Sequence, residues 1–479
     1  MVFFTIGQLI IIEASLLLLP TAVGLVYGEM TQALYFGLTA LGALVPGVLL
    51  VLLSRKRDRV IYAKEGFVIV AFTWITVSLI GAVPFVLTGD IPNYVDAFFD
   101  TVSGFTTTGS SILTDVTKLC HASLFWRSFT HWVGGMGVLV FIMAIIPVSD
   151  RSIHIMRAEV PGPIVGKLVP RVKETAKILY LIYIGITAAE IIFLWAGDMS
   201  FFESVVHSFG TAGTGGFGIK GDSIGSYSAY SQWVITVFML IFGVNFNLYY
   251  LILVKKVKDA LKSRELWVYL TIVAVSVALI SANIYNMCGT VSKTLRDASF
   301  QVASIVTTTG YGTTDFNLWP AFSRALLFIL MFLGGCAGST AGGLKVSRVM
   351  LLFKMMKNEL IHLKHPRSVS VVKLEGKQVE GPTLHSASNY FSLYILCMGV
   401  IFLLISLFDS FDLETNITAT VTCFNNVGPG LGKFIGPAGN FSGYSAFSKV
   451  VLSFAMLFGR LEILPMMIAF SPSTWTKRK

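Results

Sequence analysis

Ten apolar stretches limit what this chain can become. They lie near residues 6–27, 33–54, 67–88, 124–147, 177–196, 232–254, 267–286, 321–352, 388–409 and 446–470. Each reaches about the 20 residues that carry a helix across a bilayer. The hydrocarbon core offers no water to backbone groups, so a spanning segment must satisfy them internally, as a helix does. Charged residues make up only 13% of the 479, against about 25% in a soluble domain. The expected fold class is an all-α polytopic membrane protein. The first stretch has no basic leader and no small-residue cleavage site, and is expected to remain as a helix.

The formal net charge of +10 would suit a nucleic-acid partner, but its placement argues against one. Of 36 Lys and Arg, 27 fall in alternate loops or the C-terminal tail: Arg55–Lys64, Arg151–Lys177, Lys255–Arg264, Lys345–Lys377 and Lys477–Lys479. That is the positive-inside pattern, and it puts both termini in the cytoplasm. Cys120, Cys288, Cys336, Cys397 and Cys423 show no metal-ligand spacing, and read as packing or vestibule residues. No HExxH, GxSxG or P-loop pattern occurs, so no enzyme is expected.

A second regularity lies between the apolar stretches. Thr307-Thr308-Thr309-Gly310-Tyr311-Gly312 resembles the filter sequence of a potassium channel, whose backbone carbonyls face a dehydrated ion. Three degenerate relatives accompany it: Thr106-Thr107-Thr108-Gly109-Ser110, Gly213-Thr214-Gly215-Gly216-Phe217 and Asn425-Asn426-Val427-Gly428-Pro429. Gly109, Gly216, Gly310 and Gly428 are separated by 107, 94 and 118 residues, which marks an internal repeat. Asp96, Glu203 and Asp297 stand 13 residues before their glycine and Glu414 one further back, where an acid caps a short helix and complements its dipole. The expected unit is span, pore helix, filter strand, span, four times around one pore. The divisions are an accessory hairpin at 1–65 and repeats at 66–150, 151–262, 263–375 and 376–479. The competing reading makes the four segments flexible outer turns.

The second span of each unit carries glycine again: Gly134-Gly135-Met136-Gly137, Phe242-Gly243-Val244-Asn245, Gly334 to Gly343, and Gly459-Arg460-Leu461-Glu462. Ten residues with five glycines disfavour helix, so a break is expected at 334–343. At 134–137 a break and close helix packing through small residues are equally open. Arg460 lies inside the last span, as a gate charge or a structural anchor. On a regular helix Glu462 points away from it.

These filter segments, together with His131-Trp132-Val133-Gly134-Gly135-Met136-Gly137, the Gly-Ser-Thr-Ala-Gly-Gly block at 338–343 and Arg460, resemble the Trk/Ktr/HKT superfamily of potassium transporters, TrkH type. The resemblance covers essentially the whole chain; Cys336-Ala337 stands where the family often has Ser-Pro. It implies potassium uptake across a bacterial plasma (inner) membrane, with K⁺ as the transported ion and no organic cofactor in this chain. It also implies a homodimer with two pores in membrane lipid, and a cytosolic regulatory subunit of the TrkA kind that binds nucleotide. The implied K⁺ filter is Thr107, Thr108, Gly109, Thr214, Gly215, Gly216, Thr308, Thr309, Gly310, Asn426, Val427 and Gly428. The implied gate is Gly334, Gly335, Gly338, Ser339, Thr340, Gly342 and Gly343 with Arg460. Parallel repeats and filters without carboxylates favour a gated channel; the alternative is a K⁺ symporter coupled to H⁺ or Na⁺.

Overall fold

The computed structural model describes residues 2–54, 63–137, 172–367, 371–379 and 381–475. The basic residues Arg55–Arg59, Arg151–Arg171 and Lys477–Lys479, and the 138–147 end of the fourth expected span, lie outside the described residues.

The chain is an all-α polytopic protein apart from one two-stranded hairpin, Lys373–Leu374 with Lys377–Gln378, among the described residues. Among the described residues, six helices are long and apolar enough to cross a membrane: Val2–Val26, Met30–Ser54, Lys64–Thr88, Ala176–Trp195, Arg264–Cys288 and Gly381–Phe408. Large apolar side chains such as Leu41, Leu53, Leu396 and Leu403 stand exposed, while rows of Thr and Ser are buried. That inverts the soluble pattern and suits a lipid exterior.

Val2–Leu16 packs along Met30–Ser54 through small residues. A Cβ on Gly7 would lie 2.9 Å from Gly47 O, and one on Gly47 2.9 Å from Ile11 Cγ1. Glycine therefore sets how closely these two helices approach.

Four short helices follow long ones: Tyr94–Phe105, Phe201–Gly213, Val291–Val306 and Leu413–Asn425. Their start signals differ from expectation. Glu203 does take part in a capping box with Ser200. Asn93 and Asp412 cap the first and fourth helices, so Asp96 and Glu414 sit in the first turn, paired with Lys449 at 2.6 Å and with Arg324. The third helix begins earlier, which leaves Asp297 two turns inside it beside Arg296.

The second spans are not continuous helices. Ala229–Phe242 and Phe246–Leu253 meet at 91°. Ala321–Leu330 gives way to irregular chain until Val346–Lys364, which contains the expected break. Ala446–Arg460 stops where a regular helix was expected; Glu462 and Ile463 take φ of +58°, and Leu464–Phe470 resumes. His121–Gly135 ends at the glycine run, with Gly137 at φ +80°. There both readings hold, because a Cβ on Gly134 would collide with Phe105 O.

Candidate functional site

The four short helices end identically. The N–H of Thr107, Thr214, Thr308 and Asn426 reaches back three residues, to the carbonyls of Gly104, Thr211, Ile305 and Cys423. The next N–H, of Thr108, Gly215, Thr309 and Val427, reaches back five, to Ser103, Gly210, Ser304 and Thr422, at 2.8–2.9 Å. This paired pattern closes a helix when the residue after its cap is left-handed. All four residues are: φ is 56°, 58°, 55° and 56°. Three of them are threonine, a β-branched residue that resists this region. The same strain at four equivalent places marks a built feature.

Two residues on, the four glycines are left-handed as well, at φ +81°, +77°, +85° and +99°. A Cβ on Gly109 would collide with Gly215 O, on Gly216 with Thr309 O and on Gly310 with Val427 O; on Gly428 it would lie 2.7 Å from Thr108 O. Each glycine thus abuts the carbonyl of the next segment, and the fourth returns to the first. The four segments form a closed ring. All four glycines line one cavity of about 130 Å³, with Ser110, Phe217 and Pro429. The negative ends of four helix dipoles point into the ring.

Side chains brace the ring from behind. Thr106 and Thr307 share hydrogen bonds with Thr108 and Thr309 at 2.8 and 2.7 Å. His131 Nδ1–H donates to Gly104 O at 2.7 Å, so its Nε2 accepts from Phe217 N–H at 3.3 Å; the ring is neutral. Tyr311 donates to His207 O at 3.1 Å, and a Tyr227 hydroxyl connects His207 to Glu203. Asp100 and Arg127 form a fully buried pair at 2.7 Å. Sequence reasoning missed these braces. The available signals were an Arg in an apolar span and a second Asp in one short helix.

The irregular chain at 334–343 lies directly beneath the ring. Gly342 N–H donates to Thr308 Oγ1 at 2.6 Å, and a Cβ on Gly342 would meet Asn425 O at 2.6 Å. The neck is closed by Gly334 N–H to Leu344 O at 2.8 Å and Val346 N–H to Gly335 O at 3.2 Å. Cys336 N–H and Thr340 Oγ1 bond to the carbonyls of Gly243 and Phe242 at the bend of the second unit. Arg460 donates to Thr340 O at 2.9 Å, Gly134 O at 2.6 Å and Gly135 O at 2.8 Å. The loop therefore touches or is tied to the breaks of all the other units. Ser339 bonds within the loop, to Cys336 O at 2.7 Å, and Gly338 is left-handed.

Two residues counted with the inward basic surface belong here instead. Lys345 is buried, its ammonium on Ala341 O within the loop. Arg348 is buried, its Nη2 donating to both carboxylate oxygens of Glu462 at 3.0 Å, and its guanidinium lies over the Tyr390 ring at 4.0 Å. Glu462 points to Arg348 because the helix has already ended.

Fold and site together define a class: a helical, multi-pass membrane protein in which four strained segments close into one ring above an intramembrane loop. The TrkH family model, described as cation transport protein, matches residues 38–478. The chain is similar to the Trk system potassium uptake protein TrkH of Salmonella typhimurium, at 37% identity over 98% of each chain. It is 36% identical to that of Escherichia coli (strain K12), again over 98% of each. A crystal structure of the potassium transporter TrkH from Vibrio parahaemolyticus matches with a TM-score of 0.88 at 32% identity, over 99% of each chain. The chain belongs to the TrkH family of cation transport proteins.

Proposed function

We propose that this protein takes up K⁺ across a bacterial inner membrane, with both termini cytoplasmic, through the glycine ring acting as a selectivity filter and the 334–343 loop acting as its gate. The observation that carries the reading is the closed ring of left-handed segments, each glycine against the next segment's carbonyl. Such a ring presents carbonyl oxygens in place of water to a dehydrated cation. The relatives named for potassium uptake agree with it. The inward-negative potential drives entry, at about 2.3 kcal/mol per 100 mV for one charge. In this reading each repeat division holds one helix-ring-helix unit.

In the closed state the loop fills the path beneath the ring. Arg460 brings a cationic group beside it, where low dielectric leaves charge poorly screened. Arg460 is both gate charge and anchor, because its anchoring bonds hold the loop. Opening withdraws the loop toward the inner side, driven by a TrkA-like nucleotide-binding partner on the cytoplasmic face of a homodimer. The test is Rb⁺ uptake into liposomes holding this chain alone. Deleting 336–341, or Arg460→Ala, raises flux over the parent at equal incorporation; equal or lower flux in both places the constriction elsewhere.

One observation favours the symport alternative. Glu13 is buried inside the first helix, and neither carboxyl oxygen has a hydrogen-bond partner among the described residues. An intramembrane carboxyl of this kind is a candidate proton carrier. Reversal potentials across a pH gradient at fixed K⁺ decide: a shift with pH supports coupling, and none supports the channel.

A further inference from the structure

The loop is also held from the side facing away from the ring. Glu265 stands in the first turn of Arg264–Cys288 and is 7% exposed. A single oxygen, Oε1, accepts Ala337 N–H at 2.7 Å and Ser347 N–H at 3.1 Å. Ala337 lies within the loop. Ser347 is in the first turn of Val346–Lys364, whose own cap residue, Lys345, makes no side-chain cap bond. Glu265 therefore caps that helix from outside and pins the loop with the same atom.

Glu265 is itself positioned by a second carboxylate. Glu375, at the left-handed turn of the small hairpin, accepts the N–H of Arg264 at 3.1 Å and of Glu265 at 2.9 Å. The hairpin is seated by Val372, which clusters with Leu351 of the helix after the loop and with Ala387. A cavity of about 750 Å³ is lined by Glu265, Glu375, Ala337 and Ser347. Ala337 borders this cavity, and on this flank its N–H is held by Glu265.

We propose that Glu265 is a positioning residue for transport: it latches the loop in its closed place, and Glu375 on the hairpin sets the latch. The proposal rests on the gate reading above. Removing a carboxylate that serves two buried N–H groups leaves both orphaned in the closed state. A loop displaced into the cavity rehydrates them, so truncation favours opening. Glutamine keeps an oxygen at the same reach and serves both donors with a neutral acceptor. The hairpin is exposed at Glu375, which makes it a handle by which a contact outside the membrane reaches the gate.

The experiment is Rb⁺ uptake and K⁺/Na⁺ preference in liposomes of the full chain, for the parent, Glu265→Ala, Glu265→Gln, Glu375→Ala and the 336–341 deletion. Glu265→Ala raises uptake about tenfold with preference unchanged, Glu265→Gln raises it much less, and Glu375→Ala gives an intermediate rise. A merely structural role lowers uptake in Glu265→Ala and gives no rescue by glutamine. Parental or lower uptake in Glu265→Ala, beside a deletion that does raise it, overturns the latch alone. A deletion that leaves uptake unchanged overturns the gate reading itself. Should Glu265→Ala fail to accumulate, Glu375→Ala decides: raised uptake supports the latch and parental uptake overturns it.

Discussion

Thr308 carries two burdens at once. Its backbone is left-handed, at a cost of roughly 1–3 kcal/mol for such a residue, and its hydroxyl receives Gly342 N–H. Thr308→Val keeps the shape and removes the acceptor. We expect it to lower thermal stability by about 1–3 kcal/mol and to raise uptake without the partner, while Thr308→Ser keeps both near the parent. Thermal unfolding in detergent and Rb⁺ uptake check this. Unchanged values in Thr308→Val mean the hydroxyl does not hold the loop. The four glycines were legible in the sequence because their spacing repeats. The left-handed residues two positions earlier were not, because threonine disfavours that backbone and only Asn426 advertises it. Backbone bonds within each helix end impose the geometry, and no side-chain pattern records them.

Helix ends are tied across elements by acids. Glu29 accepts the N–H of His121 and Ala122, Asp198 the N–H of Ser228 and the hydroxyls of Ser228 and Ser231, and Asp412 caps its own helix. Burial works to raise the carboxyls of Glu29 and Asp198, but these hydrogen bonds prevail and hold both below their ordinary range. The Thr415 hydroxyl does the same for Asp412. Folded values below the unfolded ones, about 3.9 for Asp and 4.3 for Glu, mean stability present at neutral pH and lost as pH falls through the folded values. The unfolding temperature should therefore change little through these groups from pH 7 to 5 and drop below about pH 4. Glu29→Gln should flatten part of that drop; an identical acid profile removes Glu29 from the account.

Breaks were legible at 334–343, where glycine weakens the helix locally. At Leu461 to Ile463 the local signal is Pro465, in the first turn of the helix that resumes. There the bond from Glu462 to Arg348 holds the chain. Of the expected capping acids only Glu203 caps, Asp96 and Glu414 stand in the first turn and Asp297 lies deeper, because a fixed offset from the glycine does not fix where each short helix begins.

At the scale of the molecule, the accessory hairpin depends on close approach at Gly7 and Gly47. Gly47→Leu should push its two helices apart and cost about 1–3 kcal/mol by overpacking, read as a lower unfolding temperature; an unchanged one would show that the two helices are not tightly packed there. Docking of the proposed partner falls to the basic residues that remain exposed, Lys357, Lys364 and Arg367 among them, since Lys345 and Arg348 are buried. Reversing those three charges should weaken co-purification, and full recovery of the partner would count against this face.

The central claim is that the cation passes through the ring. Its most direct test is the reversal potential of the chain in a planar bilayer, with K⁺ on one side and Na⁺ on the other, for the parent and for Gly310→Ser. The added Cβ meets Val427 O in a backbone that resists side chains. The account predicts a K⁺-preferring potential for the parent that moves toward zero in Gly310→Ser. An unchanged potential in a folded Gly310→Ser protein would contradict it.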